Sequence, residues 1–564
     1  MRSAFYMFMS TLFFVQFSIS QNPTSIPVDD PIYDYFERME TLGYLTNLLD
    51  GIRPFSRGRA AEFLKVLESK RADLTPIDRR KLDDYLLDFR YELNPEQKYH
   101  RTPEGQNWYS ILYSIDNFKT DFSRFFKQNH PEEENHVLIW EKGGNSIYFD
   151  YEQGIDFEQR SDDVYRSASW QNYQVRGTID TNFGYQALVS LQGLRGDEGY
   201  VEDHPILKGS WSQKKADEPR YSDRTGGELA WHTNSIDITF AQQSVEWGYG
   251  ESGRLILSSD PEPYPYLALQ KDWGWGRYIS LHGKLQSFQQ DTLTDGYPVY
   301  PDKWLAAHRL EFTIWKKLTI GFNENFIYGN RYADWSYMIP FNFYRAVQHK
   351  LRDRDNATIS IDAEYLVWKG IKIYGTVFLD EFKRSELGTN WYGNKQAFLA
   401  GFYWVDPVHL NNTSIRIEYT AIMPWVYTHK YAINSYTTDY NSLGHWSGPN
   451  SEVYYVHVNK EWHQRFNTGV KFRQWKKGNN YPNENIGGDI LVGHGTLLGS
   501  QTEPRETRKF LEGILTEEQR FEFYGNYEIF NDFYLSGRYS LSHLTISGDA
   551  ENFNELYFGV ILKY

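Results

Sequence analysis

The stretch Thr358–Asp380 constrains the fold of this chain more than any other. Ile359, Ile361, Ala363, Tyr365 and Val367 alternate with Thr358, Ser360, Asp362, Glu364 and Leu366. After Trp368-Lys369-Gly370 the alternation resumes, with Ile371, Ile373, Gly375, Val377 and Leu379 set against Lys372, Tyr374, Thr376, Phe378 and Asp380. Successive side chains of a strand point to opposite faces. The stretch therefore predicts a hairpin with one apolar face and one face carrying Asp, Glu and Lys. The pattern recurs. Leu310, Phe312 and Ile314 turn through Trp315-Lys316-Lys317 into Leu318, Ile320 and Phe322. Phe521–Ile529 turns at Phe530-Asn531-Asp532 into Phe533–Leu541, and Ile415–Ala421 alternates alone. The chain ends on the same pattern, with Leu556, Phe558, Val560, Leu562 and Tyr564 on one face.

A soluble sandwich buries its apolar face in a core, whereas a membrane barrel turns that face to lipid and its polar face to the lumen. Three features favour the barrel. Between Asn145 and Tyr564 there are roughly 16 to 19 candidate strands, many near the 9–11 residues that cross a bilayer, and even strand numbers prevail. The chain opens on an export signal. Its last strand, Asn552–Tyr564, reads as a closing strand that pairs with a first strand near Asn145, since an unpaired edge is a liability. The expected fold is mainly β: a transmembrane antiparallel β-barrel of about 18 strands, preceded by a small three-helix domain. Its long inserts, Gly196–Gly226, Gly329–Arg354, Trp425–Asn450 and Lys476–Glu518, belong outside or folded into the lumen.

Composition agrees. Hydrophobic residues make up 40% of 564 residues, and no run after the first twenty approaches the 18 apolar residues of a membrane helix. Aromatic residues reach 17%, with 44 Tyr and 18 Trp; these prefer membrane interfaces and also stack on sugars. A net charge of -15 argues against nucleic acid as a partner. Cysteine is absent, which excludes disulfides and thiolate metal sites.

Residues 1–20 carry Arg2, an apolar stretch, and Ser18 and Ser20 before Gln21, the pattern of a cleaved signal peptide. Residues 21–100 follow as the small helical domain and residues 101–564 as the barrel. Asp30-Pro31 opens a first helix that places Ile32, Tyr35, Phe36, Met39 and Leu42 on one face and stops at Gly43. Ser56 opens a second, with Ala60, Phe63, Leu64 and Leu67, and Thr75-Pro76-Ile77-Asp78 a third, with Leu82, Tyr85, Leu86 and Phe89.

One stretch departs from the strand pattern. Glu246–Tyr266 has glycines at 248, 250 and 253, a short apolar run, and then three prolines. Glycines let an aromatic-rich backbone fold tightly, and prolines stiffen its exit. Here the chain resembles the capsule assembly Wzi family of outer-membrane barrels, in its Bacteroidetes-like form. The resemblance rests on Trp247-Gly-Tyr-Gly250 running into Leu257-Ser258 and the proline-rich exit. It extends to Trp391-Tyr-Gly-Asn-Lys395, Pro424–His429 and Leu443–Asn450, and to a helical segment ahead of the barrel. It implies an outer-membrane lectin that binds or anchors exported capsular or other surface polysaccharide and assists capsule assembly, with the helical domain, residues 21–100, at its periplasmic mouth. Partners would be that glycan, membrane lipid and a periplasmic partner of the helical domain; no cofactor or metal is implied. The polysaccharide contacts it suggests are Glu246, Trp247, Tyr249, Arg254, Trp391, Asn394, Lys395, Trp425, His429, His445, Trp446 and Asn450.

No metalloprotease, P-loop or nucleophile-elbow motif occurs. Asp362, Glu364, Asp380, Glu418, Glu522 and Glu528 share the lumenal face with Lys372, Arg416, Lys471, Arg473 and Arg538, where charge neutralisation is expected rather than acid–base catalysis. A porin-like channel and an outer-membrane hydrolase are the competing functions. The channel requires an open lumen, and the hydrolase a convergent nucleophile or carboxylate pair.

Overall fold

A computed structural model describes residues 22–94, 136–202, 204, 220–290, 292–294, 297–351, 354–381, 384–386, 388–493 and 507–564. The expected signal peptide and residues 95–135, across the expected junction of helical domain and barrel, lie outside the described residues. So do 205–219 and 494–506, within two of the long inserts.

The helices begin and end where their caps predict. In α1 (Ile32–Thr41) the Ile32 amide donates to Asp30 Oδ1 at 2.9 Å, and Gly43 turns left-handed (φ 78°) just past the end. α2 (Arg57–Ser69) is capped by Ser56, whose Oγ accepts from the Arg59 amide at 3.2 Å. α3 (Pro76–Asp88) is capped by Thr75, with proline in the first turn. A short α4 (Arg90–Leu93) follows, a turn that the sequence pattern did not predict.

The rest is one closed antiparallel barrel of 18 strands. They are β1 (Asn145–Arg160), β2 (Tyr165–Ile179), β3 (Phe183–Gly196), β4 (Arg220–His232), β5 (Asp237–Gln243) and β6 (Tyr264–Asp272). Next come β7 (Gly276–Leu285), β8 (Lys303–Ile314), β9 (Leu318–Gly329), β10 (Asn356–Trp368), β11 (Ile371–Glu381) and β12 (Lys395–Val405). The last six are β13 (Thr413–Ile422), β14 (Ser451–His463), β15 (Phe466–Asn479), β16 (Ile514–Phe530), β17 (Phe533–Ile546) and β18 (Asp549–Lys563). β18 closes on β1 with Glu555 opposite Arg160 and Lys563 opposite Glu152, the seam expected from the last thirteen residues. The remaining edge of β1, Asn145–Phe149, is covered by a short strand at Leu138–Lys142, so no ladder is left open there. Parts of two expected inserts are strand instead: Arg220–Gly226 belongs to β4, and the ends of Lys476–Glu518 to β15 and β16.

Alternation separates the two faces as membrane spanning requires. Ile359, Ile361, Tyr365, Ile373 and Val377 are exposed on the outer wall, while Asp362, Glu364, Lys372 and Tyr374 are buried in the lumen. On β18, Leu556 and Phe558 are 59% and 51% exposed and Glu555 is buried. Tyr564 corrects one expectation: it is covered, and its backbone pairs with Tyr151 at 2.6 and 2.7 Å. The final aromatic anchors the seam instead of facing lipid. Arginine at Leu556 is therefore expected to cost ~2–4 kcal/mol of folding stability in bilayers. Arginine at lumenal Tyr557 costs much less; equal losses in urea-unfolding titrations would overturn this orientation.

The lumen is filled. The connections between β2 and β3, β15 and β14, and β17 and β16 are short turns at one mouth, and the long inserts emerge at the other. The helices close the short-turn mouth from inside. The Gly370 amide donates to Thr41 O at 2.7 Å, Arg38 forks onto Asp406 at 3.0 and 3.1 Å, and Asn412 reaches Thr75 Oγ1 at 3.1 Å. One continuous core runs from Ile32, Phe36, Leu64 and Leu82 in the helices to lumenal Leu281, Leu305, Phe378 and Leu399. The lumenal charges pair as expected, and Glu37 of α1 and Arg309 of β8 join them as partners that the sequence pattern did not name. Lys372 lies 3.0 Å from both Glu364 and Glu37, and Arg309 bonds Asp362 at 2.5 and 2.8 Å.

Candidate functional site

The Glu246–Tyr266 stretch folds inward from the long-loop mouth, and its tip meets the helical unit in mid-lumen. Glu246–Trp247 forms a two-stranded sheet with Ile52–Arg53. Trp247 also pairs with Leu257, donating its amide to Leu257 O at 2.9 Å. The glycines are required by crowding: a Cβ at Gly253 would overlap the His445 ring, and one at Gly250 the Gly253 carbonyl. Tyr264 onward belongs to β6, so the proline-rich exit leads straight into the wall.

Most residues suggested as sugar contacts are enclosed by this packing. Trp247, Tyr249, Arg254, Trp425, His445, Asn394, Lys395 and Asn450 are all buried. Arg254 bonds Glu246 at 3.0 Å, and Glu246 also accepts from Ser259 Oγ at 2.7 Å. Trp425 packs over Gly487 and donates its amide to Gly487 O at 3.0 Å. Asn450 holds the mouth together: its Nδ2 donates to Gly478 O and Glu512 O at 2.7 and 2.8 Å, and its Oδ1 accepts from the Leu511 amide. Lys395 lies 3.1 Å from Glu381, and Asn394 donates to Thr389 O. Burial pushes His445 down to about 3, and His429 likewise, where the nearby Lys395 charge adds to the effect. Both are neutral imidazoles in the loop architecture, His445 fully enclosed and His429 half-buried.

Trp391 and Trp446 remain half-buried. Trp391 bridges to Thr507 and packs on Tyr392, which leads to Trp425. Trp446 is better placed for a ligand. Its Nε1 donates to Ser252 O at 2.6 Å, fixing the ring beside the inserted loop. The half-buried Trp475 of β15 lies with its centroid 5.6 Å away, the Arg473 guanidinium stands 4.8 Å over the Trp446 ring, and Glu518 of β16 holds Arg473 at 2.6 Å. Two indoles, a cation and a carboxylate thus border the lumen beneath the long-loop mouth. Sequence reasoning placed Arg473 in a charge network and passed over Trp475 and Glu518. The signal was an indole at lumenal parity between Arg473 and Lys477.

Among the described residues, the carboxylates of Glu40, Asp50 and Glu364 come together. Lys372 supplies their counter-charge, 3.0 Å from Glu364 and 3.8 Å from Glu40. The group serves docking of the helical unit.

A similar architecture occurs in Wzi of Escherichia coli, described as an outer membrane protein involved in group 1 capsule assembly and a carbohydrate-binding β-barrel. The two match with a TM-score of 0.53 at 11% identity, over 95% of this chain and 99% of that one. OprD of Pseudomonas aeruginosa matches at a TM-score of 0.41 and 10% identity, over 74% of this chain and 93% of that one. No curated protein sequence matches. The family model described as capsule assembly protein Wzi matches residues 207–555, well over half of the chain, and the chain belongs to that family.

Proposed function

We propose that the protein is an outer-membrane lectin that holds an exported capsular polysaccharide at the long-loop mouth without catalysing a reaction on it. Barrels of this type carry short turns in the periplasm and long loops outside, which sets the helical unit, residues 21–100, on the periplasmic side after removal of residues 1–20. The observation that carries the proposal is the half-buried Trp446–Trp475 pair with Arg473 and Glu518. The indoles offer flat apolar faces to the C–H side of a sugar ring, and the guanidinium and carboxylate offer charge-assisted hydrogen bonds to hydroxyl or acid groups. The filled lumen favours holding a glycan over conducting solutes. A glycan-binding screen on the refolded protein, with bilayer conductance measured in parallel, tests both. Alanine at Trp446 or Trp475 is expected to weaken glycan retention roughly tenfold, the loss of about 1.4 kcal/mol, while the unfolding midpoint holds. Unchanged retention in both variants would remove the platform, and porin-like conductance would restore the channel.

A further inference from the structure

The connection from β9 to β10 leaves at the long-loop mouth, yet its described residues, 330–351 and 354–355, do not enter the lumen. They fold back over the outer wall as a strap containing two short helices, α5 (Trp335–Met338) and α6 (Tyr344–Lys350). Tyr344 stacks on His308 of β8 at 4.4 Å, and Tyr337 packs on Phe326 and Tyr328 of β9 at 5.4 and 5.1 Å. Phe341 stacks on Tyr278 of β7 at 5.3 Å, and the Tyr278 hydroxyl donates to Pro340 O. His308 is on the outer face because Arg309 and Glu311, its alternates, are buried in the lumen.

The wall beneath the strap is not one that lipid tolerates. His308 Nε2 lies 2.9 Å from the Glu324 carboxylate on the outer surface. The exposed tryptophans Trp275, Trp315, Trp368 and Trp462 mark the interface at the short-turn ends. His308 lies ~7 residues above Trp315; at a ~3.3 Å rise and ~40° tilt that is ~18 Å, inside an apolar band ~25 Å tall. An uncovered carboxylate and imidazole at that depth are costly. The strap covers them, and the amides of Tyr344 and Arg345 at the start of α6 donate to the Glu324 carboxylate at 3.2 and 2.9 Å.

The strap's own outer side is apolar and bare. Tyr332, Trp335, Phe341 and Phe343 are 87%, 80%, 78% and 78% exposed, far beyond what aqueous surfaces normally carry as a group. Its far end, toward the long-loop mouth, is cationic, with Lys350 and Arg354 exposed. Of its described acids, Asp355 is buried against Arg331 at 2.7 Å.

The geometry points to a lipid-docking surface. The strap replaces the missing apolar band over β7–β9 and seats Trp335, Phe341 and Phe343 among the acyl chains of a phosphorylated outer-leaflet lipid. Lys350 and Arg354 meet its phosphates. The occupant follows from position, since the strap lies on the wall that faces the bilayer, and from an apolar face that ends in cations.

The chain lacks cysteine, so Phe341→Cys and, separately, Phe343→Cys take a nitroxide label without background. In phosphatidylcholine nanodiscs containing lipid A, both labels are expected to be more accessible to oxygen than to a water-soluble nickel chelate. Their spectra should be free of dipolar broadening. Chelate accessibility typical of water, or broadening from a second copy of the chain, overturns the proposal. Trp335→Cys is a third position if either phenylalanine variant assembles poorly. Native mass spectrometry tests the headgroup contact. Reversing charge at Lys350→Glu and Arg354→Glu together should lower retained lipid A roughly tenfold or more, with retained phosphatidylethanolamine unchanged. Equal lipid A retention in wild type and variant overturns the phosphate contact.

Discussion

Alanine at Trp247 is expected to destabilise the protein by ~3–5 kcal/mol and to raise its conductance in planar bilayers well above that of the wild type. Trp247 is fully buried at the point where the two lumen fillings meet. Ile52 of the helical unit pairs with it, Arg53 pairs with Glu246, and the Gly248 amide donates to Gly51 O at 2.9 Å. Removing the indole leaves a void that its neighbours close only in part, because this small sheet is fixed by backbone bonds on both sides. The helices below and the loop above would then lose their common anchor. Trp247→Phe, which keeps most of the buried area, should retain the low conductance. Glycan retention separates this role from a sugar contact: it should fall further in Trp446→Ala than in a folded Trp247 variant. A stable, closed Trp247→Ala protein that had lost its glycan would reverse the assignment.

The hairpins were legible because the alternation of Thr358–Asp380 or Phe521–Leu541 is local and strict. With it came the outer face, the near count of 18 strands, the seam, and the caps at Ser56 and Thr75. What the loops do was not legible. Gly329–Arg354 and Trp425–Asn450 are both rich in Tyr, Trp and Asn, yet one lies on the outer wall and the other inside the lumen. Composition records that aromatic faces need partners, without saying whether those partners are protein, sugar or lipid. That is why Trp247 and Trp425, in the segments that carry the family resemblance, read as ligand contacts although each is packed inside the protein. Trp475 escaped notice for the opposite reason, since within a strand it looks like ordinary alternation. Arg416 and Lys372 share a partner far away in the chain, Glu37 on α1, and no periodicity connects it to them.

Methionine at Arg416 is expected to cost ~3–5 kcal/mol, the penalty for stripping the partner from buried charges, and to release the helical unit to protease. Arg416 stands on the wall strand β13 and grips both fillings. It forks onto Glu37 of α1 at 2.8 and 3.3 Å, reaches Glu251 of the inserted loop at 2.6 Å, and donates to Tyr374 at 2.9 Å. Without it Glu37 keeps Lys372 at 3.0 Å and Glu251 keeps His457 at 2.7 Å, so neither carboxylate recovers a second strong partner. Acid should act on the same joint. Burial is the largest single effect and would push both carboxyls up, but the Arg416 charge, joined by Lys372 at Glu37 and by the His457 hydrogen bond at Glu251, together with the smaller contributions outweighs it. Glu37 is held well below the usual carboxylate range and Glu251 at about 2. A carboxyl whose pKa is lower in the folded state contributes its full stabilisation above its unfolded value of ~4.5, and loses it as pH falls through the folded one. Protease sensitivity of the helical unit should therefore rise in the wild type between pH ~4.5 and ~2. In Arg416→Met it should already be high at neutral pH and vary little over that window. Arg416→Lys keeps the charge without the fork and should fall between the two. Identical acid profiles for wild type and Arg416→Met would place the acid-sensitive joint elsewhere, most directly at the Arg38–Asp406 contact at the short-turn mouth.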